Sequence, residues 1–148
     1  MLEIGEKVPN FQSIDQNDQS IKLSDYQGKK VIIYFYPKDD TPGCTKQACN
    51  LRDNYEKLLD DGYVILGVST DSTKSHQKFI DKFSLPFPLL SDESKEVHNI
   101  FGTWAEKQTF GRKYMGTVRT TFIIDENGVL QKIINKVKTA DHSDQIID

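Results

Sequence analysis

Apolar residues in this chain fall into short runs, and the runs alternate between a strand-like and a helix-like spacing. Positions 31–36, Val-Ile-Ile-Tyr-Phe-Tyr, are apolar, β-branched or aromatic throughout, which predicts a central strand buried on both faces. Pro37 ends it. A helix is predicted from Thr41-Pro42, because Thr is a good N-cap and Pro suits the first helical position. Ala48, Leu51, Tyr55, Leu58 and Leu59 keep helical spacing, and Gly62 closes that helix. Positions 64–68 predict a second buried strand. Positions 73–83 predict an amphipathic helix with Phe79, Ile80 and Phe83 inward. A turn at 85–90 leads into a short strand, and 94–101 is a brief helix. Residues 102–118 read as a glycine-punctuated connection with an extended portion. Positions 120–124 and 129–134 flank Asp125-Glu-Asn-Gly128, a strong hairpin signal. A last helix covers 139–148. Upstream, 11–14 and 21–23 flank a polar stretch and predict an N-terminal hairpin, followed by a short helical turn from Ser24 to Gly28.

This order is a β-α-β unit, a further helix and a closing antiparallel hairpin. It suits an α/β layered domain with a mixed sheet, and 148 residues suit one domain, 1–148. No repeat, linker or low-complexity segment interrupts it. The composition changes this picture little. The net charge of −3 and the absence of a clustered basic surface argue against nucleic acid. The longest apolar run is far too short to span a bilayer. The first ten residues hold no basic region followed by an apolar run, so a cytoplasmic location is expected. In a reducing compartment, two cysteines are poor candidates for a structural staple.

In open α/β sheets, chemistry sits beyond the carboxyl ends of strands, where helices begin. Cys44 falls there, in the first turn after the strand ending at Tyr36. Only a thiolate is a useful nucleophile, and an ordinary thiol of pKa about 8.5 is roughly 3% ionised at neutral pH. Bringing a thiol to ionise near pH 6 takes about 3.4 kcal/mol of differential stabilisation. A helix N-terminus supplies about 0.3–1 kcal/mol, and up to about 2 in favourable geometry. A nearby cation is therefore needed. Arg119, just before an apolar strand, is one source, although by pattern alone it reads more readily as an edge arginine reaching solvent. Arg52 and Lys38 are weaker candidates.

Cys49 follows five residues later. On an intact helix the two side chains would point about 140° apart, with Cα atoms roughly 8.7 Å from one another. A disulfide needs Cα atoms within about 7 Å and side chains that face each other. Either the pair is unrelated or the helix unwinds to join it. Cys44 shares an inner stripe with Ala48, Leu51 and Tyr55, whereas Cys49 shares a face with Arg52, Asp53 and Glu56 that should be solvated. A sheltered nucleophile and an accessible second thiol suit sulfenic acid chemistry. Two other classes compete. A thiol–disulfide oxidoreductase would usually carry C-x-x-C, which is absent. A metal-binding domain would need ligand spacing, and His76, His98 and His142 are scattered and read as surface or helix-end residues. Asp39 and Asp40 read as a solvated loop face. Phe101, Trp104 and Tyr114 read as lining either the core or the entrance to the site.

The segment Pro37-Lys-Asp-Asp-Thr41-Pro-Gly-Cys44-Thr-Lys-Gln-Ala-Cys49 resembles the active-site segment of peroxiredoxins of the Q type, the bacterioferritin comigratory protein subgroup. The likeness extends to Gly5-Glu-Lys-Val-Pro-Asn-Phe11, Gly67-Val-Ser-Thr-Asp71 and the stretch from Gly111 to Asp125. The resemblance implies a thioredoxin-like fold with a mixed central sheet, flanking helices and an added N-terminal hairpin. It implies reduction of hydrogen peroxide and organic hydroperoxides without metal, haem or flavin. By position, Cys44 is the peroxidatic cysteine and Cys49 the resolving one, joined in an intramolecular disulfide that thioredoxin or a similar dithiol reductant reopens. Thr41 and Arg119 would bind the peroxide, Arg119 would also support the thiolate, and Pro37 would shape and shield the pocket. Gln47 stands where many relatives carry Glu. An internal resolving thiol removes the need for a dimer, so a monomer is expected.

Overall fold

The apolar segment at 31–36 becomes the middle of a sheet. The computed structural model describes residues 2–147. In chain order its strands are β1 (Gln12–Ile14), β2 (Ser20–Lys22), β3 (Lys30–Phe35), β4 (Tyr63–Ser69), β5 (Leu89–Ser91), β6 (Trp104–Thr109), β7 (Arg112–Thr117), β8 (Thr120–Ile124) and β9 (Leu130–Ile134). The helices are α1 (Pro42–Asp53), α2 (Tyr55–Asp60), α3 (Thr73–Phe83), α4 (Glu96–Phe101) and α5 (His142–Ile147). Seven strands form one sheet in the order β2-β1-β5-β4-β3-β8-β9, and β6 and β7 pair separately as a ribbon. β3, β4 and β5 run parallel, whereas β8 pairs antiparallel with β3. The sheet is mixed, as the sequence predicts.

Because β3 is central, its alternating side chains supply two cores. Ile32, Tyr34 and Tyr36 meet Ala48 and Leu51 of α1, Leu58 of α2, Phe79 of α3 and Ile146 of α5. Val31, Ile33 and Phe35 face the other way, onto Val97 and Phe101 of α4 and onto Val8, Phe11 and Leu23. Gly67 in β4 is required by this packing: a Cβ there would lie 2.6 Å from Leu89 and 3.0 Å from the Tyr34 ring.

Four elements differ from the sequence expectation. The helix expected to run from Thr41-Pro42 to Gly62 is two helices, broken at Asn54. The Asn54 side-chain amide donates to the Asn50 carbonyl at 2.8 Å, taking an acceptor that a continuous helix would offer to backbone N–H. The connection at 102–118 contains the β6–β7 hairpin. Its turn places Phe110 and Gly111 at φ 52° and 75°. Such turns favour Asn or Asp at the first of these positions, so a phenylalanine there hides the signal. Helix α4 begins two residues later than predicted, after Lys95 in a left-handed conformation. The last helix starts at His142, not Thr139, and Asp148 lies outside the described residues.

His142 ties α5 to the sheet. Of its reading as a surface or helix-end residue, the helix-end position holds, since it opens α5, and the surface exposure does not. The ring is fully buried. Nε2 meets the Thr121 hydroxyl at 2.8 Å and Nδ1 meets Gln145 Oε1 at 2.9 Å. Burial lowers its pKa, and the hydrogen bond with Gln145 pulls the other way without reversing it. An unfolded chain takes a proton on this ring near pH 6.5, roughly the free value, while the folded chain keeps it neutral to lower pH. Below that pH the unfolded state binds more protons, so the stability is present in full above it and is lost as pH falls toward the lowered folded value. Urea unfolding at about pH 7.5 and about pH 5.5 should therefore show a smaller acid loss in His142→Gln than in the parent. Equal losses would contradict this assignment.

Candidate active site

The site is assembled where β3 hands over to α1. Thr41 is the N-cap of α1 in an extended conformation, Pro42 is the first helical residue and Cys44 the third. The position of Thr41 is the one predicted, but its hydroxyl does not cap the helix. It donates backwards to the Lys38 carbonyl at 2.8 Å. The first-turn amides are thereby left without a side-chain cap. The hydroxyl proton is committed to Lys38, so the Thr41 oxygen is free to accept from a ligand.

Strand register brings up the cation. β3 and β8 pair Phe35 with Thr120. Arg119, one residue before Thr120, is thus delivered beside the carboxyl end of β3. Its Nη2 donates to Cys44 Sγ at 3.2 Å, and its Nη1 donates to Gln47 Oε1 at 2.6 Å. A permanent cation donating to sulfur is the contact that a thiolate takes. Cys44 itself is 2% exposed, so a reactant must be small or present a narrow reacting end. The reading of Arg119 as a solvent-facing edge residue is corrected by this contact. Arg52 turns away, toward the Phe83 carbonyl and Asp53. Lys38 is exposed and contributes only its carbonyl. Pro37 is half-buried at the start of the loop joining β3 to α1.

Cys44 and Cys49 are both free thiols within the unbroken helix α1. The helical separation argued above therefore applies to this state. Cys44 joins the inner cluster with Ala48 and Leu51, and Tyr55 packs against it. Cys49 is half-buried and not fully solvated.

Gln47 carries more of the site than its sequence position indicated. It is fully buried one turn after Cys44, and its Nε2 has no hydrogen-bond partner. Its carbonyl orients the guanidinium without neutralising it. Among the described residues, no carboxylate lies within ion-pair distance of Arg119. The signals available for it were its spacing of three from Cys44 and its place where many relatives of the resembled family carry Glu.

Other readings also change. His76 and His98 are fully buried, each against an aspartate: His76 Nδ1 lies 2.7 Å from Asp39 and His98 Nδ1 lies 2.6 Å from Asp92. For Asp92, burial alone would raise the pKa, but hydrogen bonds from the His98 ring and the backbone of His98 and Val97 outweigh it and hold the carboxyl low. Asp39 is buried, while its neighbour Asp40 is exposed and pairs with Lys82. Phe101 is core, Trp104 stacks edge-on against His98, and Tyr114 is exposed on the hairpin. None of the three lies at the sulfur by any contact above.

Comparison with known proteins places this geometry. Residues 4–133 match the AhpC/TSA family. The chain belongs to that family. It is 47% identical to peroxiredoxin Bcp of Bacillus subtilis over 95% of this chain and 90% of that protein. It is 42% identical to peroxiredoxin Bcp of Escherichia coli over 99% of this chain and 94% of that one. A bacterioferritin comigratory protein from Xanthomonas campestris, studied for alkyl peroxide reduction, superposes with a TM-score of 0.87 at 34% identity, covering 93% and 87% of the two chains. A cysteine variant of Xylella fastidiosa peroxiredoxin Q gives 0.93 at 28% identity, covering 99% and 94%. The resemblance to Q-type peroxiredoxins is borne out, and so is the thioredoxin-like fold with its mixed sheet and flanking helices.

The neutrality of Gln47 leads to a measurable effect. Gln47→Glu would set a carboxylate against the guanidinium and draw its charge away from sulfur. In a Cys49→Ser background, iodoacetamide should alkylate Cys44 more slowly by about fivefold at neutral pH, equivalent to about 1 kcal/mol. An unchanged or faster rate would show that Arg119 does not set the reactivity of this thiol.

Proposed function

We propose that this chain is a thiol-dependent peroxidase in which Cys44 is the nucleophile and Cys49 the resolving thiol. The single observation behind this reading is the Arg119 contact to a buried cysteine in the first turn of α1. The Cys44 thiolate attacks the terminal oxygen of a hydroperoxide. An S–O bond forms, the O–O bond breaks, and the departing oxygen takes a proton to leave as water or an alcohol. Thr41 accepts a hydrogen bond from the peroxide, and Arg119 stabilises charge developing on the departing oxygen. Pro37 closes one side of the pocket.

Cys44 is then a sulfenic acid. The first turns of α1 unwind, the Cys49 thiolate attacks the Cys44 sulfur, and hydroxide leaves as water to give the disulfide. A dithiol reductant of the thioredoxin kind reduces that disulfide and is itself oxidised. Both thiols needed to form the disulfide lie in one chain, which supports a monomer as the working unit. Reliance on reduced thiols supports a reducing compartment such as the cytoplasm. No helix among the described residues is long and apolar enough to cross a membrane.

Three substitutions test the assignments. Cys44→Ser should abolish hydrogen peroxide consumption in a thioredoxin-coupled assay, and retained turnover would reject the nucleophile. Cys49→Ser should allow one rapid oxidation per molecule and then stop, and sustained cycling would mean that another thiol resolves the sulfenic acid. Arg119→Gln should slow the first oxidation by about 10²-fold or more, the scale of losing one aimed electrostatic donor. An effect smaller than about threefold would remove Arg119 from the chemistry.

A further inference from the structure

The loop from Pro37 to Thr41 carries the Thr41 hydroxyl, and its middle residue is a buried acid. Asp39 is 8% exposed. Its Oδ1 accepts from the Tyr36 hydroxyl at 2.6 Å, and its Oδ2 accepts from the Ser75 hydroxyl at 2.8 Å and meets His76 Nδ1 at 2.7 Å. Its backbone N–H donates to Asp71 Oδ2 at 2.8 Å. Asp71 is held in turn by the Ser69 hydroxyl at 2.8 Å. One loop residue is thus bonded to the end of β3, the segment after β4 and the first turn of α3.

The proton count in this cluster is constrained. His76 Nε2 lies 3.0 Å from the Leu90 carbonyl, which can only accept, so Nε2 carries a hydrogen. A contact of 2.7 Å between Nδ1 and a carboxylate oxygen then requires a further proton between them. Burial, followed by the neighbouring Asp39 charge, raises the Tyr36 pKa well above its ordinary value, so its hydroxyl remains a donor. Asp39, Asp71 and His76 have the donor types of a cation site. The Asp39 and Asp71 oxygens, however, already accept from hydroxyls and from the Asp39 backbone N–H, and Asp39 shares a proton with His76 Nδ1.

We propose that Asp39, with His76 as its proton-sharing partner, is a positioning residue for the peroxide-reducing site: it fixes the loop so that the Lys38 carbonyl holds the Thr41 hydroxyl with its free lone pair toward the substrate. This rests on the peroxidase reading and extends it to two residues that do not touch the sulfur. The thiolate itself is supported from elsewhere, by Arg119 from β8 and by the helix start. Loss of Asp39 should therefore impair the reaction with peroxide far more than the bare nucleophilicity of Cys44.

The test compares two rates on the full chain: oxidation of Cys44 by hydrogen peroxide in stopped flow, and its alkylation by iodoacetamide, which needs no Thr41. Asp39→Ala should lower the peroxide rate by about tenfold or more, the scale of a mispositioned reactant, with alkylation within about twofold of the parent. Asp39→Asn should restore most of the peroxide rate, because its carbonyl can accept from Tyr36 and its amide can donate to a neutral His76. An Asp39→Ala rate with peroxide within about twofold of the parent, or an equal fall in both reactions, would overturn the proposal. If Asp39→Ala does not fold, Tyr36→Phe and Ser75→Ala each remove one bond to the carboxylate. Each should slow peroxide selectively by about threefold, and unchanged rates in both would overturn it. If the parent itself is not oxidised at Cys44, the peroxidase reading fails; if the parent is oxidised and Asp39→Ala equals it, only the present proposal fails.

Discussion

Arg119 Nη2 reaches Cys44 Sγ at 3.2 Å, and that contact constrains much of the molecule around it. The guanidinium must enter from a strand running antiparallel to β3, because only that direction puts the residue preceding β8 at the carboxyl end of β3. The sulfur must sit in the first turn of a helix starting at the same edge. A helix start alone contributes up to about 2 kcal/mol toward a thiolate, less than a reactive cysteine needs. The cation supplies the remainder only if it is not spent elsewhere. Pairing it with the neutral Gln47 and not a carboxylate preserves that charge, and the burial of Cys44 and Gln47 beside a half-buried Arg119 reduces solvent screening of the contact.

The proposed disulfide makes a second demand on the same helix, which must hold Cys44 in place and yet release it. The two halves of α1 are secured differently. Its first turn has no side-chain cap, contains Gly43 and carries no acidic residue to complement the dipole. Its second half is pinned. Leu51 is fully buried, Arg52 Nη1 donates to the Phe83 carbonyl at 2.7 Å, and Asn50 Oδ1 accepts from Ser143 N at 2.7 Å. Unwinding from the N-terminus therefore meets resistance just past Cys49. Release of the first two turns is enough to remove the separation that forbids the bond in an intact helix.

The sequence revealed the parts of this arrangement that depend on period and motif. The buried central strand, the start of the helix, the position of Cys44 and the closing hairpin all follow from spacing and punctuation. Features set by single side-chain hydrogen bonds were not legible. Asn54 breaks a helix because its amide takes a carbonyl, and Thr41 leaves a helix uncapped because its hydroxyl turns backward. Both residue types permit either outcome locally. Likewise, Asp39, His76, His98 and His142 look like surface residues in one dimension. Their burial depends on partners more than thirty positions away for Asp39 and His76, on Thr117 for His98 and on Thr121 for His142. Arg119 is the intermediate case: pattern favoured solvent, and only the tertiary register or the family motif brings it inward.

In the proposed cycle the site partly unfolds, and such a site needs some walls that do not. The loop before α1 is bonded through Asp39 to three neighbouring elements, and Arg119 is placed by the β3–β8 register. When the helix turn carrying Cys44 unwinds, the contacts to Gln47 and the sulfur are lost, while the loop carrying Thr41 and the strand carrying Arg119 keep theirs. Refolding after reduction is then the docking of one short helical segment into a pocket already formed on two sides. Concentrating polar burial in the loop, and leaving the helix start uncapped, separates the two tasks: the rigid part preserves substrate geometry, and the labile part carries the thiol between its two positions.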